Sequence, residues 1–401
     1  MSLATVHGGI LSPRGFSVGI GEAGIRASGG DDLVLIVSDR TATAAATLTT
    51  NRMRAAPVLL AEEALASGAG VRGVVVNAGC ANAGTGGAGL EDARSVVTAV
   101  ADHLGCDPAQ VLPASTGLIG SRLPVDAIVA TIRKLQLHRS RAAAGRAARS
   151  IMTTDTRPKE HAVSVRISDD RSIRVGGMAK GSGMIHPQMA TMLAFITTDA
   201  PIDGDNLASL LRPVVDRTFN QVSVDGDTST NDAVMVLANG AAGGSPLVGS
   251  DLRAFGEALE AVCRSLAVAI AADGEGARHL IEVTVHGAAN DADARRVART
   301  VAASSLVKTA VHGADPNWGR IAAAAGRSGV ELLADRMRIC IGDVPVYDGR
   351  PLEFDERRAR RILRGATVPL VLDLLAGPGS GTAWGCDLSA EYVAINSEYS
   401  T

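Results

Sequence analysis

The glycine-punctuated stretch Lys180-Gly181-Ser182-Gly183-Met184-Ile185-His186-Pro187-Gln188-Met189-Ala190 leads directly into Thr191 and then into the apolar run Met192-Leu193-Ala194-Phe195-Ile196. The glycines disfavour helix and strand, whereas the apolar run has the length and composition of a buried strand. A hydroxyl at such a seam can bend toward the carbonyl that precedes it. Attack on the Ala190–Thr191 bond gives an ester that water opens, and a new chain then begins at Thr191. The freed α-amine lies beside the Thr191 hydroxyl and titrates near pH ~8, so it can take the hydroxyl proton at working pH. This spacing therefore reads as self-cleavage followed by nucleophilic catalysis from an N-terminal threonine. The plainer alternative is a turn entering a core strand.

Other residues have chemistry to offer that nucleophile. Thr116-Gly117, inside Pro113-Ala114-Ser115-Thr116-Gly117-Leu118-Ile119-Gly120, pairs a hydroxyl with an unhindered amide, the two donors an oxyanion hole needs; it also fits an ordinary Ser-Thr-Gly turn. Lys180 reads as a solvated turn lysine, or as a cation that lowers the pKa of a nearby α-amine. The cluster Thr153-Thr154-Asp155-Thr156 has the composition of a capping turn. Glu275, set between Gly274 and Gly276, can approach a ligand ammonium closely or stand in solvent. Asn396 and Thr401 fall in a tail that would ordinarily fray. Ser223 to Asp232 is rich in oxygen ligands but lacks the order and terminal Glu of a calcium loop. Gly68-x-Gly70-x-x-Gly73 precedes its strand instead of following one, so it is not a dinucleotide fingerprint.

The stretch from Lys180 to Ala200 resembles the cleavage-site signature of the ArgJ family, the glutamate N-acetyltransferases also called ornithine acetyltransferases. The likeness runs from about Pro13-Arg14-Gly15-Phe16 to the C-terminus. It implies that Ala190–Thr191 is the scissile bond and Thr191 the nucleophile, with Thr116 and Gly117 as the oxyanion hole. It further implies that Thr154, Lys180, Thr191, Glu275, Asn396 and Thr401 bind substrate, and that Ser223 to Asp232 is a hydrogen-bonding scaffold beside the site. The implied reaction carries an acetyl group from N2-acetyl-L-ornithine to L-glutamate through an acetyl-Thr191 ester, in the acetyl cycle of arginine biosynthesis. No cofactor and no metal are expected, although some members also take acetyl-CoA as a co-substrate. The implied segments are 1–190 (α) and 191–401 (β), which share one folded unit and assemble as an α2β2 heterotetramer. An N-terminal-nucleophile amidohydrolase or aminopeptidase, a specialised-metabolism acyltransferase and an uncleaved scaffold protein remain as alternatives.

Positioning these residues requires alternating strands and helices. Leu33 to Val37, Val74 to Asn77, Ala162 to Ile167 and Leu280 to Val285 read as strands. Leu90, Ala93, Val97, Val100 and Leu104 share a helical face that Gly105 ends; Pro124 starts a second helix, 125–137. Gly204 to Asn220, interrupted by Pro213, and Asp251 to Ala271 read as further helices. The mixed order predicts an α/β or α+β fold, and the resemblance implies the layered DmpA/ArgJ type. A net charge of −3 supplies no basic field for nucleic acid, and no apolar run reaches the ~18–20 residues of a membrane span. The N-terminus shows no secretion signal, and five dispersed cysteines without a Cys-x-x-Cys pair predict reduced thiols in a cytoplasmic protein.

Overall fold

The computed structural model describes residues 3–168, 170–186 and 192–398. In chain order the strands are β1 Leu3–Thr5, β2 Phe16–Gly21, β3 Leu33–Leu48, β4 Val71–Cys80, β5 Val111–Leu118, β6 Leu137–His138, β7 Lys159–Arg166 and β8 Ser172–Lys180. They continue as β9 Leu193–Thr198, β10 Val222–Ser223, β11 Ala233–Ala238, β12 Leu280–Ala288, β13 Arg338–Ile341, β14 Val344–Asp348, β15 Thr367–Asp373 and β16 Gly379–Cys386. Among the described residues, β1-β7-β8-β9-β11-β3-β2-β6 form the main path of a 10-stranded sheet, with β4 paired to β3 and β5 to β4. A 6-stranded sheet follows the order β10-β16-β12-β15-β13-β14.

Strand β3 joins two parts of the larger sheet. Its residues 33–38 lie between β2 and β4, and its residues 43–48 pair with β11. The parallel pair β9–β11 is buried along its whole length, which explains why both strands read as continuous apolar runs instead of alternating ones. Alternate side chains of these strands serve opposite faces. Ala194, Ile196, Val234 and Val236 pack under the helices Gly204–Arg217 and Gly249–Ala271, whereas Phe195, Met235 and Leu237 join the core of the other face, which also takes in the alanines of the helix Arg141–Ser150. The helices Gly86–Leu104 and Val125–Ile132 cover β4 and β5. The 6-stranded sheet has its own core against the helices Asp291–Ala302, Trp318–Gly326 and Glu356–Leu363.

Several local expectations change. The helix beginning after Pro124 ends at Ile132, not near residue 137, because Leu135 packs over Gly19 and Gly21 and the chain then joins the edge of β2 as β6. Residues 113–118 are strand, not turn, and β4 runs past Asn77 to Cys80. Pro213 is accommodated within the helix Gly204–Arg217. The tail folds into the helix Ala390–Glu398 instead of fraying. No described helix is long and apolar enough to cross a membrane, and all five cysteines are free.

Candidate active site

Lys180 ends β8, and Thr116 and Gly117 lie near the end of β5. The buried Lys180 Nζ donates to Thr116 Oγ1 at 3.0 Å and to Thr153 Oγ1 at 2.8 Å. Because Thr116 Oγ accepts from the ammonium, its own proton remains free to be aimed elsewhere. Gly117 has φ 132, and a Cβ there would stand 2.2 Å from the carbonyl carbon of Gly79, so no side chain fits while β4 and β5 stay paired. Thr116, Gly117, Thr153, Thr154, Lys180, Asn231, Glu275 and Asn396 share the lining of a cavity of about 200 Å³. That volume is below the ~300–1,000 Å³ of clefts for drug-sized ligands, which limits the site to a small molecule.

Glu275 reaches this cavity from the turn after the helix Gly249–Ala271. Its N–H donates to Ser182 O at 3.0 Å, and its Oε2 accepts from Asn396 Nδ2 of the terminal helix at 2.8 Å. The carboxyl lies against the backbone of Gly183, where a Cβ would come within 2.4 Å of it. The two residues read as a solvated turn carboxylate and a frayed tail amide are thus partners in one wall.

A buried ion cluster braces the turn that follows Lys180. Asp155 Oδ1 accepts from Lys159 Nζ at 2.6 Å and from the Gly181 N–H at 2.7 Å, and Lys159 also donates to Asp273 Oδ2 at 2.5 Å. Ser182 Oγ donates to the Asp273 carbonyl at 2.6 Å. Burial pushes the Asp155 carboxyl up, but Lys180 and Lys159 together outweigh it and hold the group below its ordinary range. Burial lowers the Lys180 ammonium, against the attraction of Asp155, Asp232 and Glu275.

The segment 223–232 pins both flanks of residues 187–191. Asp225 accepts from the N–H groups of Met184 (2.5 Å) and Ile185 (2.9 Å), which holds Met184 at its left-handed φ of 55. His186 Nδ1 lies 3.1 Å from Ser223 Oγ, and burial lowers the pKa of its ring. On the far side, Met192 N–H donates to Asp232 Oδ1 at 2.8 Å. Asn231 Nδ2 ties the segment to β5 through Ser115 O (3.0 Å) and to Ala81 O (2.7 Å). Asp225 and Asp232, which helped to invite a calcium reading, accept instead from backbone amides.

Thr116, Gly117, Thr154, Lys180, Glu275 and Asn396 are therefore brought together, whereas Ala190, Thr191 and Thr401 lie outside the described residues. Sequence reasoning passed over the charges of Lys159, Asp155 and Asp273, and named Asn231 and Asp232 only within the scaffold 223–232. Lys159 and Asp155 carried a faint signal in their four-residue spacing beside a strand start. Nothing local pointed to Asp273 as their third member, since it lies 114 residues from Lys159.

The fold and this cavity define a layered α/β protein with a small polar site at the ends of β5 and β8, closed by the turn before β12 and the terminal helix. The model of the ArgJ family matches residues 17–401. The Arginine biosynthesis bifunctional protein ArgJ of Dehalococcoides mccartyi (strain CBDB1) is 49% identical over 399 residues, covering 98% of each chain. Its namesake in Synechococcus sp. (strain ATCC 27144 / PCC 6301 / SAUG 1402/1) is 47% identical over 99% of this chain and 98% of its own. The crystal structure of Arginine biosynthesis bifunctional protein argJ from Bacillus halodurans aligns with a TM-score of 0.50 and 46% identity, over 51% of this chain and 98% of that one. The chain belongs to the ArgJ family.

Proposed function

We propose that this protein is an acetyltransferase that moves an acetyl group from N2-acetyl-L-ornithine to L-glutamate, with Thr191 as nucleophile after the chain cuts itself between Ala190 and Thr191. The observation that carries the proposal is the convergence of Thr116, Gly117, Thr154, Lys180, Glu275 and Asn396 on one small cavity, in a chain 49% identical to an arginine-biosynthesis protein. In this reading Thr191 Oγ attacks the acetyl carbonyl and the Thr191 α-amine takes its proton. Thr116 Oγ–H and Gly117 N–H stabilise the oxyanion; each such donor is worth ~2.7–4 kcal/mol. Glu275, held by Asn396, receives the ammonium of the amino-acid substrates, and Lys180 and Thr154 flank it. Ornithine leaves, and the α-amine of glutamate attacks the acetyl ester, giving ping-pong kinetics.

The segments are then 1–190 and 191–401. That the Bacillus halodurans chain matches 51% of this one over 98% of its own length supports a division near the middle. Assembly of two copies of each segment belongs to the same proposal and is read by light scattering. The word "bifunctional" in the relatives' names favours a second activity, acetylation of glutamate from acetyl-CoA as co-substrate without a further cofactor. The test is intact mass spectrometry before and after incubation with acetylornithine. The expected result is two pieces, with an acetyl adduct on 191–401, and a Thr191→Ala chain that stays whole and inactive. A Thr191→Ala protein that is still cut and still active would overturn the proposal; acetate release independent of glutamate would make it a hydrolase.

A further inference from the structure

A second cavity, of about 620 Å³, is lined by the elements on either side of residues 151–158, the helix Arg141–Ser150 and the start of β7. Its volume falls in the ~300–1,000 Å³ range of small-molecule sites. Arg141, Gly145 and Arg149 recur every four residues along the helix and so share one face, which forms one wall. Glycine is a poor residue for a helix interior, and Gly145 has no left-handed φ that would require it. A Cβ there would meet Glu160 Oε2 at 3.4 Å and Arg149 Nη1 at 3.7 Å, which are ordinary contact distances. The absent side chain therefore leaves room between two arginines, with a carboxylate across from them. Gly9, at φ 46, makes room from the other side, since a Cβ there would stand 2.2 Å from Glu160 Oε1. Among the described residues, Arg149 and Arg141 act on Glu160 through space without reaching ion-pair distance. Glu160 is open to the cavity, yet crowding by protein raises its carboxyl above the ordinary value, against the attraction of both arginines. Burial lowers the pKa of the His161 ring beside it, which keeps that ring neutral at working pH.

The geometry points to a second binding site, for a small amino dicarboxylate whose two carboxylates meet Arg141 and Arg149 and whose ammonium meets Glu160. The walls offer two cations and one anion, and this ligand class returns two anions and one cation. An inorganic anion or a plain dicarboxylate would match the arginines but set a like charge against Glu160. An ω-amino acid would match Glu160 but leave one arginine without a partner. The site shares no lining residue with the cavity of Lys180 and Glu275, and it stands whether or not Thr191 is the nucleophile. An occupant would join the helix to β7 across the segment that holds Thr153, Thr154 and Asp155, and so bind the folded chain in preference to the unfolded one.

Isothermal titration of the full-length protein with L-aspartate, succinate and β-alanine tests this. A Glu275→Gln background weakens the ammonium site of the other cavity, so the heat reports the second one. L-aspartate is expected to bind there at least about tenfold more tightly than succinate or β-alanine, the scale of one lost hydrogen bond between charged groups. Arg141→Ala and Arg149→Ala each weaken aspartate by at least about tenfold, and Glu160→Gln removes the preference for aspartate over succinate. Gly145→Leu fills the gap with a better helix former, so its melting temperature is equal or higher while aspartate binding is lost. That pairing separates a blocked site from a damaged fold. No heat from aspartate at millimolar concentration overturns the inference, as does aspartate binding that is unchanged in both Gly145→Leu and Arg149→Ala. Succinate binding as tightly as aspartate overturns the part given to Glu160.

Discussion

Lys159 lies away from solvent: its side chain and that of Asp155 are both 0% exposed. Two carboxylates answer it, and one of them also fixes the Gly181 amide, so charge neutrality and loop geometry depend on the same atoms. Asp155→Asn leaves Lys159 with Asp273 alone. Removing one partner of a buried pair costs ~3–5 kcal/mol, and the remaining carboxylate places the expected loss at the lower end. The pH dependence has a definite sign. The folded Asp155 carboxyl is held below its ordinary range by Lys180 and Lys159, so its contribution is present above that range and is lost as pH falls through the folded value. The gap in urea midpoint between wild type and Asp155→Asn should be widest near neutrality and shrink in acid. A gap that stays constant from neutral pH into acid would contradict the assignment. Neither residue was singled out from the sequence, because their meaning lies in a second carboxylate, Asp273, far along the chain.

At the scale of elements, the helix Gly86–Leu104 and its Gly105 stop were legible because periodicity and a left-handed cap are local signals. The strand β5 was not, since Pro113, Ser115 and Gly117 read as a turn, and only the parallel pairing with β4 makes them a strand. The terminal helix was illegible for a similar reason. Ala390–Glu398 buries none of its residues, so its composition carries no core pattern. Its described tie to the cavity is the Asn396–Glu275 hydrogen bond. Ending the chain at Ser389 should therefore leave the melting temperature nearly unchanged while acetyl transfer falls by at least about tenfold, the scale of a lost hydrogen bond to a charged group. Calorimetry and initial rates on the same sample check this; a truncated protein with unchanged rates would leave Asn396 without a role.

Across the whole molecule, the proposed cut falls between β8 and β9, which are antiparallel neighbours in one sheet. Strands β9 and β11 from the second segment lie between β8 and β3 from the first. Parting the two pieces would strip hydrogen bonds from both sides of the β9–β11 pair and open the core on both faces. The cut segments should therefore elute together in gel filtration at any dilution in native buffer and part only with global unfolding in denaturant. Dissociation on dilution alone would contradict the shared sheet. The sequence by itself determined the mixed α/β class and the threonine at a glycine-to-strand seam, because these follow from local composition and spacing, whereas the residues that gather at the cavity were implied by the family resemblance alone. The tertiary structure alone decided that Lys180 is buried against Thr116 and Thr153, that Asn396 meets Glu275, and that Asp232 holds the Met192 amide. Those contacts join residues 27 to 121 positions apart, and only the folding of the chain brings their polar groups within range of one another.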